Sequence, residues 1–391
     1  MVVYIITTET FPNGLAATQR VKCYAKCIAD TGAKCQVICL NRCEDRTQPL
    51  GNKNTHGLLD GYSFRYVGPS TYRSANNTLN RIHQLIDTIR FILFMLFNIK
   101  TTDKVLFYSY NSSLMKIVQF IGRIKRIETY YELNEHPTIQ IKGFVMDDDS
   151  QSDRKKLYDK LKGFSHILCI SNSLKELLLR CGFSDKRLHI INMVVNEERF
   201  RHLVKQKSDK YIAYCGAADN NKDGVDKLIK AFATIASKHP DVKLYIMGPK
   251  RDDCNNEELA QKLGVGNRVV FTGMVSSDEL PQRLMDAIIL ALARPDGRQA
   301  KYGFPTKLGE YLMTGNPVVV TGVGDIPLFL KDGESAYIAH PDDCNDFADK
   351  LDKALSDIQS SAVVGLAGKS VAINKFTEAN VKRQIQNAMQ L

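Results

Sequence analysis

The first half of the chain repeats one pattern: a short apolar run of strand length, then a stretch with helical spacing. The runs are VVYIIT (2–7), CQVICL (35–40), FRYV (64–67), KVLFYS (104–109), IETYYEL (127–133), ILCI (167–170) and HII (189–191). Strands that alternate with helices pair in parallel through crossovers, so this rhythm dictates an α/β sheet covered on both faces. The same rhythm resumes at YIAYCG (211–216), and 391 residues exceed one ordinary core, so a second domain of the same kind is expected. The division expected is 1–203, 204–370 and a last helix at 371–391, with 201–210 as the linker.

The stretch 287–327 carries the most chemistry. AIILAL (287–292) reads as a buried strand, a polar loop runs from Arg294 to Tyr302, and TKLGEYLM (306–313) puts Leu308 and Leu312 on one helical face. Gly303 permits close backbone approach and Pro305 suits a first helical turn. A helix start exposes unpaired N–H groups at the positive end of its dipole, and Lys307 adds a full charge, which favours a phosphate there. Glu310, one turn further in, is placed to accept bonds from ribose or sugar hydroxyls.

The charge is unevenly spread. Residues 1–126 hold 17 Lys and Arg against 7 Asp and Glu, while the remainder holds 36 of each, so the whole net charge of +10 sits in the first third. A basic surface facing an anionic partner and a merely solvated face both fit. The basic residues are scattered and not interleaved with aromatics, so nucleic acid is not expected as the partner; an anionic membrane or phosphate-bearing lipid fits better. Within 81–100, Phe91 to Phe97 is apolar all round, which implies either full burial, the default reading, or contact with a lipid interface. No run reaches the length of a spanning helix and the chain opens on a strand, so a cytoplasmic protein, or one peripheral on the inner face of the membrane, is expected. Cys23, Cys27, Cys35, Cys39 and Cys43 lack metal-ligand spacing and read as reduced buried thiols.

The order of loop, Gly303-Phe304, helix with Glu310 and Gly-Asn-Pro-Val-Val (315–319) resembles the donor site of retaining glycosyltransferases of family 4, which have the GT-B fold: two Rossmann-like domains facing across a cleft, with a C-terminal helix crossing back to the first. The resemblance spans the chain and is densest from Cys215 to Pro327. It implies transfer of a sugar from a nucleoside-diphosphate sugar, UDP favoured and GDP also fitting, to a glycan or lipid-linked glycan in cell-surface polysaccharide synthesis. The nucleotide sugar is a co-substrate; no cofactor and no metal are implied, and Asp147 to Asp149 read as a solvated charge run on a mobile loop at 146–156.

The resemblance also assigns residues. Lys222 matches a lysine contacting the donor diphosphate, Gly216 the turn ahead of it, and Gly273 the turn beside the nucleobase. Gly303, Phe304, Pro305, Thr306, Lys307 and Glu310 form the donor loop and helix. Lys222, Glu310 and His136 are the catalytic candidates; Gly14, Glu135 and His136 lie on the acceptor side. A simple tight turn explains Gly14 equally well, and a structural histidine explains His136. The chain departs from the family twice. The usual first glutamate is Tyr302, with Asp296 as the candidate replacement, and the arginine preceding Lys222 is absent, with Arg294 or Lys307 available to compensate. A nucleotide-sugar epimerase, or a protein that binds a nucleotide sugar without transferring it, is the alternative on the same architecture.

Overall fold

The computed structural model describes residues 1–47, 49–206 and 209–391. It divides into two compact units: Met1–Asn192 with Glu378–Leu391, and Met193–Thr377. The sequence drew these lines at 203/204 and 370/371. Residues 193–206 belong instead with the second unit, where Arg199 donates to the Ser277 carbonyl (2.7 Å) and Lys205 Nζ to the Ala287 carbonyl (2.8 Å). Of the expected linker 201–210, residues 207 and 208 lie outside those described.

The first unit has eight strands: β1 (Val2–Thr7), β2 (Lys34–Cys39), β3 (His56–Leu59), β4 (Tyr62–Tyr66), β5 (Lys104–Tyr108), β6 (Glu128–Leu133), β7 (His166–Cys169) and β8 (Leu188–Ile190). Their order is β3-β4-β2-β1-β5-β6-β7-β8, parallel throughout except for β3 against β4. The seven expected runs are all strands within two residues of their predicted ends. β3 was not expected; it turns into β4 through Asp60-Gly61, both with positive φ (39° and 83°), the geometry of a tight two-residue hairpin. Helix α1 (Ala16–Ala29) follows β1, α2 (Asn77–Phe97) follows β4 and α3 (Ser112–Lys125) follows β5. The chain ends in two helices, Ile358–Lys375 and Glu378–Met389, where one was expected. The second packs into the first unit: Val381, Ile385 and Met389 are buried, Lys26 pairs with Glu378, and Gln384 accepts the Asn192 N–H (3.0 Å). The five clustered cysteines are free and buried.

Two expectations fail in this unit. The segment 146–156 is not one loop, because Ser150 caps a helix over Gln151–Leu161 by accepting the Asp153 N–H (3.3 Å). The Phe91–Phe97 run is not fully buried either. Phe91, Phe94 and Met95 face the core, whereas Leu93, Leu96 and Phe97 are exposed.

The second unit is an all-parallel sheet of β9 (Tyr211–Cys215), β10 (Lys243–Met247), β11 (Val269–Gly273), β12 (Ile289–Leu292), β13 (Val318–Thr321) and β14 (Tyr337–Ala339), in the order β11-β10-β9-β12-β13-β14. From β9 the chain winds outward through β10 to β11, then returns to the other side at β12. Strand order therefore reverses between β9 and β12, and the carboxyl ends of such a pair are where open α/β sheets take ligands.

Candidate active site

The loops leaving β9 and β12 meet at that reversal. After β9 come Gly216 and the short helix Asn220–Asp223; after β12 come Arg294, the exposed Asp296 and a one-turn helix at Arg298–Tyr302 where a plain loop was expected. The helix Thr306–Thr314 starts behind Pro305 with no side-chain cap. It is fastened to the end of β9 by Tyr311, whose hydroxyl accepts the Cys215 N–H at 2.6 Å.

At the start of this helix Lys307 Nζ donates to Asp223 Oδ2 (2.6 Å) and to the Tyr214 hydroxyl (3.1 Å), and lies 4.5 Å from the centre of the Tyr214 ring. Tyr214 donates to the same carboxylate oxygen (2.8 Å), and Arg294 Nε lies 3.6 Å from its Oδ1. Two cations thus share one buried carboxylate. Burial raises the Asp223 pKa, but the Lys307 charge and hydrogen bond, followed by Arg294, outweigh it and hold the carboxyl below its ordinary value. For Lys307 the balance reverses: burial pushes the ammonium down, and Asp223 opposes this only in part. The short charge-assisted bond between them favours the ionised pair.

Gly216 completes this corner. Its φ is +146°, and a Cβ there would lie 2.3 Å from Lys307 Nζ, so only glycine lets the ammonium lie against the backbone. Lys222 is exposed; its backbone carbonyl accepts Arg294 Nε at 3.3 Å, so the lysine is carried on the same network. Gly273, at the end of β11, accepts the Gly248 N–H (2.8 Å). Thr306 is exposed at the helix start, and Gly303 is buried.

Glu310 pairs with Arg199, which also donates to the Ser277 carbonyl. Burial raises the Glu310 pKa, and the Arg199 charge and hydrogen bond oppose that rise. The Phe304 ring packs against Phe329 and Phe376 at 5.6 and 5.4 Å. Tyr302 is buried, so neither its ring nor a carboxylate is presented at that position. The Asp296 N–H is bonded to Asp342 Oδ2 (2.9 Å), which ties that loop to Asp342.

The acceptor-side candidates belong to the first unit and are described within it. Gly14 follows β1, beside the reversal between β1 and β5; a Cβ there would come within 2.2 Å of both Thr10 Oγ1 and Thr18 Oγ1, so close packing demands the glycine. The Glu135 N–H is held by Gln140 Oε1 (3.0 Å). His136 is fully buried: its Nδ1 accepts the Thr138 N–H (3.2 Å) and caps the turn Pro137–Gln140, which leaves the proton on Nε2 to bond Asp148 Oδ1 (2.8 Å). Both ring nitrogens are engaged within the protein, which favours the structural reading of this histidine.

Sequence reasoning passed over Asp223, Tyr214 and Arg199. The first two were legible in principle, as a carboxylate beside Lys222 and a hydroxyl inside an apolar strand; Arg199 was not, since nothing local links it to Glu310.

The family "Glycosyl transferases group 1" matches residues 209–357. An uncharacterized glycosyltransferase of Methanocaldococcus jannaschii is 24% identical over 266 residues, 64% of this chain and 66% of that protein. The D-inositol 3-phosphate glycosyltransferase of Corynebacterium aurimucosum is 28% identical over 184 residues, 46% of this chain and 42% of that protein. The chain thus spans less than two thirds of the length of these curated relatives. Anabaena HepE, solved with UDP and glucose, superposes with a TM-score of 0.72 at 15% identity, covering 100% of this chain and 99% of that one. Likeness at that identity concerns the fold, and the fold is GT-B, with two Rossmann-like parallel-sheet domains.

Proposed function

We propose that this chain, whose residues 209–357 belong to the glycosyl transferases group 1 family, is a retaining sugar transferase that uses a nucleoside-diphosphate sugar. One observation carries the reading: at the reversal of the second sheet, Lys307 on a helix start and Arg294 on the loop after β12 converge on Asp223. Departure of the diphosphate is the costly step, and preorganised cations and N–H groups there stabilise its developing charge without reorganisation. Lys222, exposed on the adjoining loop, adds a further cation; Glu310 accepts bonds from the sugar hydroxyls. The diphosphate charge is met by these groups, so the reaction runs without a metal. UDP is the favoured nucleotide, in keeping with the UDP bound to HepE, and GDP is the other candidate.

The acceptor in this reading is a glycan or lipid-linked glycan of a cell-surface polysaccharide, met at the inner face of an anionic membrane on which the protein is peripheral. Support comes from the positive charge confined to residues 1–126. A panel of UDP- and GDP-sugars, first for binding and then for acceptor-dependent release of nucleoside diphosphate, tests the whole reading. Tyr302, buried where the resemblance calls for a carboxylate, favours the second reading of a protein that binds a nucleotide sugar without transferring it. Binding with no release in the presence of any glycan acceptor would select that one.

A further inference from the structure

Helix α2 is apolar on two opposite faces. Phe91, Phe94 and Met95 pack inward, while Leu79, Ile82, Ile86, Ile89, Leu93 and Phe97 form an outward stripe at helical spacing. The stripe is far from marginal, with Phe97 79% exposed. Soluble surfaces scatter such residues singly; a contiguous stripe over five turns marks a binding surface. Helix α3 extends it. Lys125 Nζ donates to the Met95 carbonyl (3.1 Å), which ties the end of α3 to the end of α2, and α3 turns outward Phe120 (66% exposed) and Ile124 (61%).

Charge identifies what covers this surface. On the exposed face of α3, Lys116 and Arg123 flank Phe120 and Ile124 at helical spacing, and α3 contains no acidic residue. The single acid of α2, Asp87, is buried and neutralised by Arg42 (3.0 Å) and Arg90 (2.8 Å). An exposed face with apolar side chains and cations but no carboxylate suits a layer that is negative outside and hydrocarbon within. No helix among the described residues is long and apolar enough to cross a membrane, so α2 lies on such a layer.

We propose that the outward faces of α2 and α3 form a monotopic docking surface for anionic phospholipid, with Leu93, Phe97, Phe120 and Ile124 entering the acyl boundary and Lys116 and Arg123 meeting headgroup phosphates. This deepens the membrane part of the function proposed above and rests on it; the nucleotide site plays no part in it.

The test is co-sedimentation of the full chain with phosphatidylcholine vesicles containing a rising share of phosphatidylglycerol. Binding is expected to rise with the anionic share. Leu93→Asp with Phe97→Asp should weaken it about tenfold or more at any salt, and Lys116→Glu with Arg123→Glu should weaken it by a similar factor at low salt only. All four residues are exposed, and an unchanged thermal midpoint and UDP-induced shift establish that each variant is folded. Wild type that ignores the anionic share, or variants that bind like wild type, overturn the proposal. So does a dimer in sedimentation velocity that Leu93→Asp with Phe97→Asp dissociates, because a second copy then covers the face. Vesicle binding without UDP binding leaves this surface standing and sinks the transferase reading; UDP binding without vesicle binding does the reverse.

Discussion

Lys307 Nζ lies 2.6 Å from the carboxylate of Asp223, in the corner where a diphosphate is proposed to bind. The nearby Arg294, which is buried, makes Asp223 a counter-charge shared by two cations.

Replacing Asp223 by Asn removes that counter-charge while keeping the shape. Stability should fall, on the order of 3 kcal/mol, because the buried Arg294 and the half-buried Lys307 both lose a carboxylate. A bound diphosphate then supplies the missing negative charge, so the thermal shift produced by UDP should be larger in Asp223→Asn than in wild type. The sign with pH follows from a carboxyl held below its ordinary value. Its contribution is complete at neutral pH and is lost as pH falls through that depressed value, so wild type and variant should converge only in strongly acidic solution. Calorimetry with and without UDP across pH measures both effects. A smaller UDP shift in the variant would count against a diphosphate in this corner.

How far this corner could be read beforehand depended on the range of each interaction. Strand and helix periodicity is local, so the seven runs of the first sheet and the Thr306–Thr314 helix were legible, and the positions of Gly216 and Lys307 with them. The Asp60-Gly61 hairpin and the Ser150 cap were equally local and were passed over, although D-G between apolar runs and Ser-x-x-Asp are both readable signals. The pairs Lys307–Asp223 and Arg199–Glu310 join residues 84 and 111 positions apart, and no local pattern encodes them. The ring contacts of Phe304 are equally non-local: a motif position says nothing of Phe329 and Phe376, against which its ring packs.

His136 gives a prediction about stability and not about chemistry. With Nδ1 capping a turn and Nε2 bonded to Asp148, His136→Ala removes two buried hydrogen bonds. A loss of about 1–3 kcal/mol is expected in denaturant unfolding. UDP affinity, a property of the second unit, should stay unchanged. Unaltered stability together with a large fall in turnover would restore a catalytic role to the ring.

Lys222 offers the opposite case. It is exposed, and its link to Arg294 runs through the backbone carbonyl, which any residue supplies. Contacts of an exposed lysine are worth little, so Lys222→Ala should shift the thermal midpoint only slightly and lower kcat/KM at least about tenfold, or about 1.4 kcal/mol. The same assay run in excess EDTA should keep its wild-type rate, since cationic side chains and helix N–H groups meet the diphosphate. An absolute requirement for Mg²⁺ would overturn that account of the charge.

The pairing of Arg199 with Glu310 leads to a prediction with a distinctive pH signature. Burial pushes the Glu310 carboxyl up, and the Arg199 charge and hydrogen bond work against that rise at the group proposed to accept bonds from sugar hydroxyls. Arg199→Ala removes that opposition and the orientation with it. A fall in kcat/KM of about tenfold or more is expected at neutral pH. The acid limb of the profile, set by protonation of Glu310, should also move to higher pH, because the buried carboxyl now takes its proton sooner. Arg199→Lys restores a charge without the second bond to Ser277, so the limb should move back toward wild type while the rate recovers only in part. If Arg199 only braces the loop at Ser277, both variants would lower the rate and leave the limb where it is in wild type. The pH dependence of kcat/KM in the three proteins, each checked for an unchanged fold, separates the two roles.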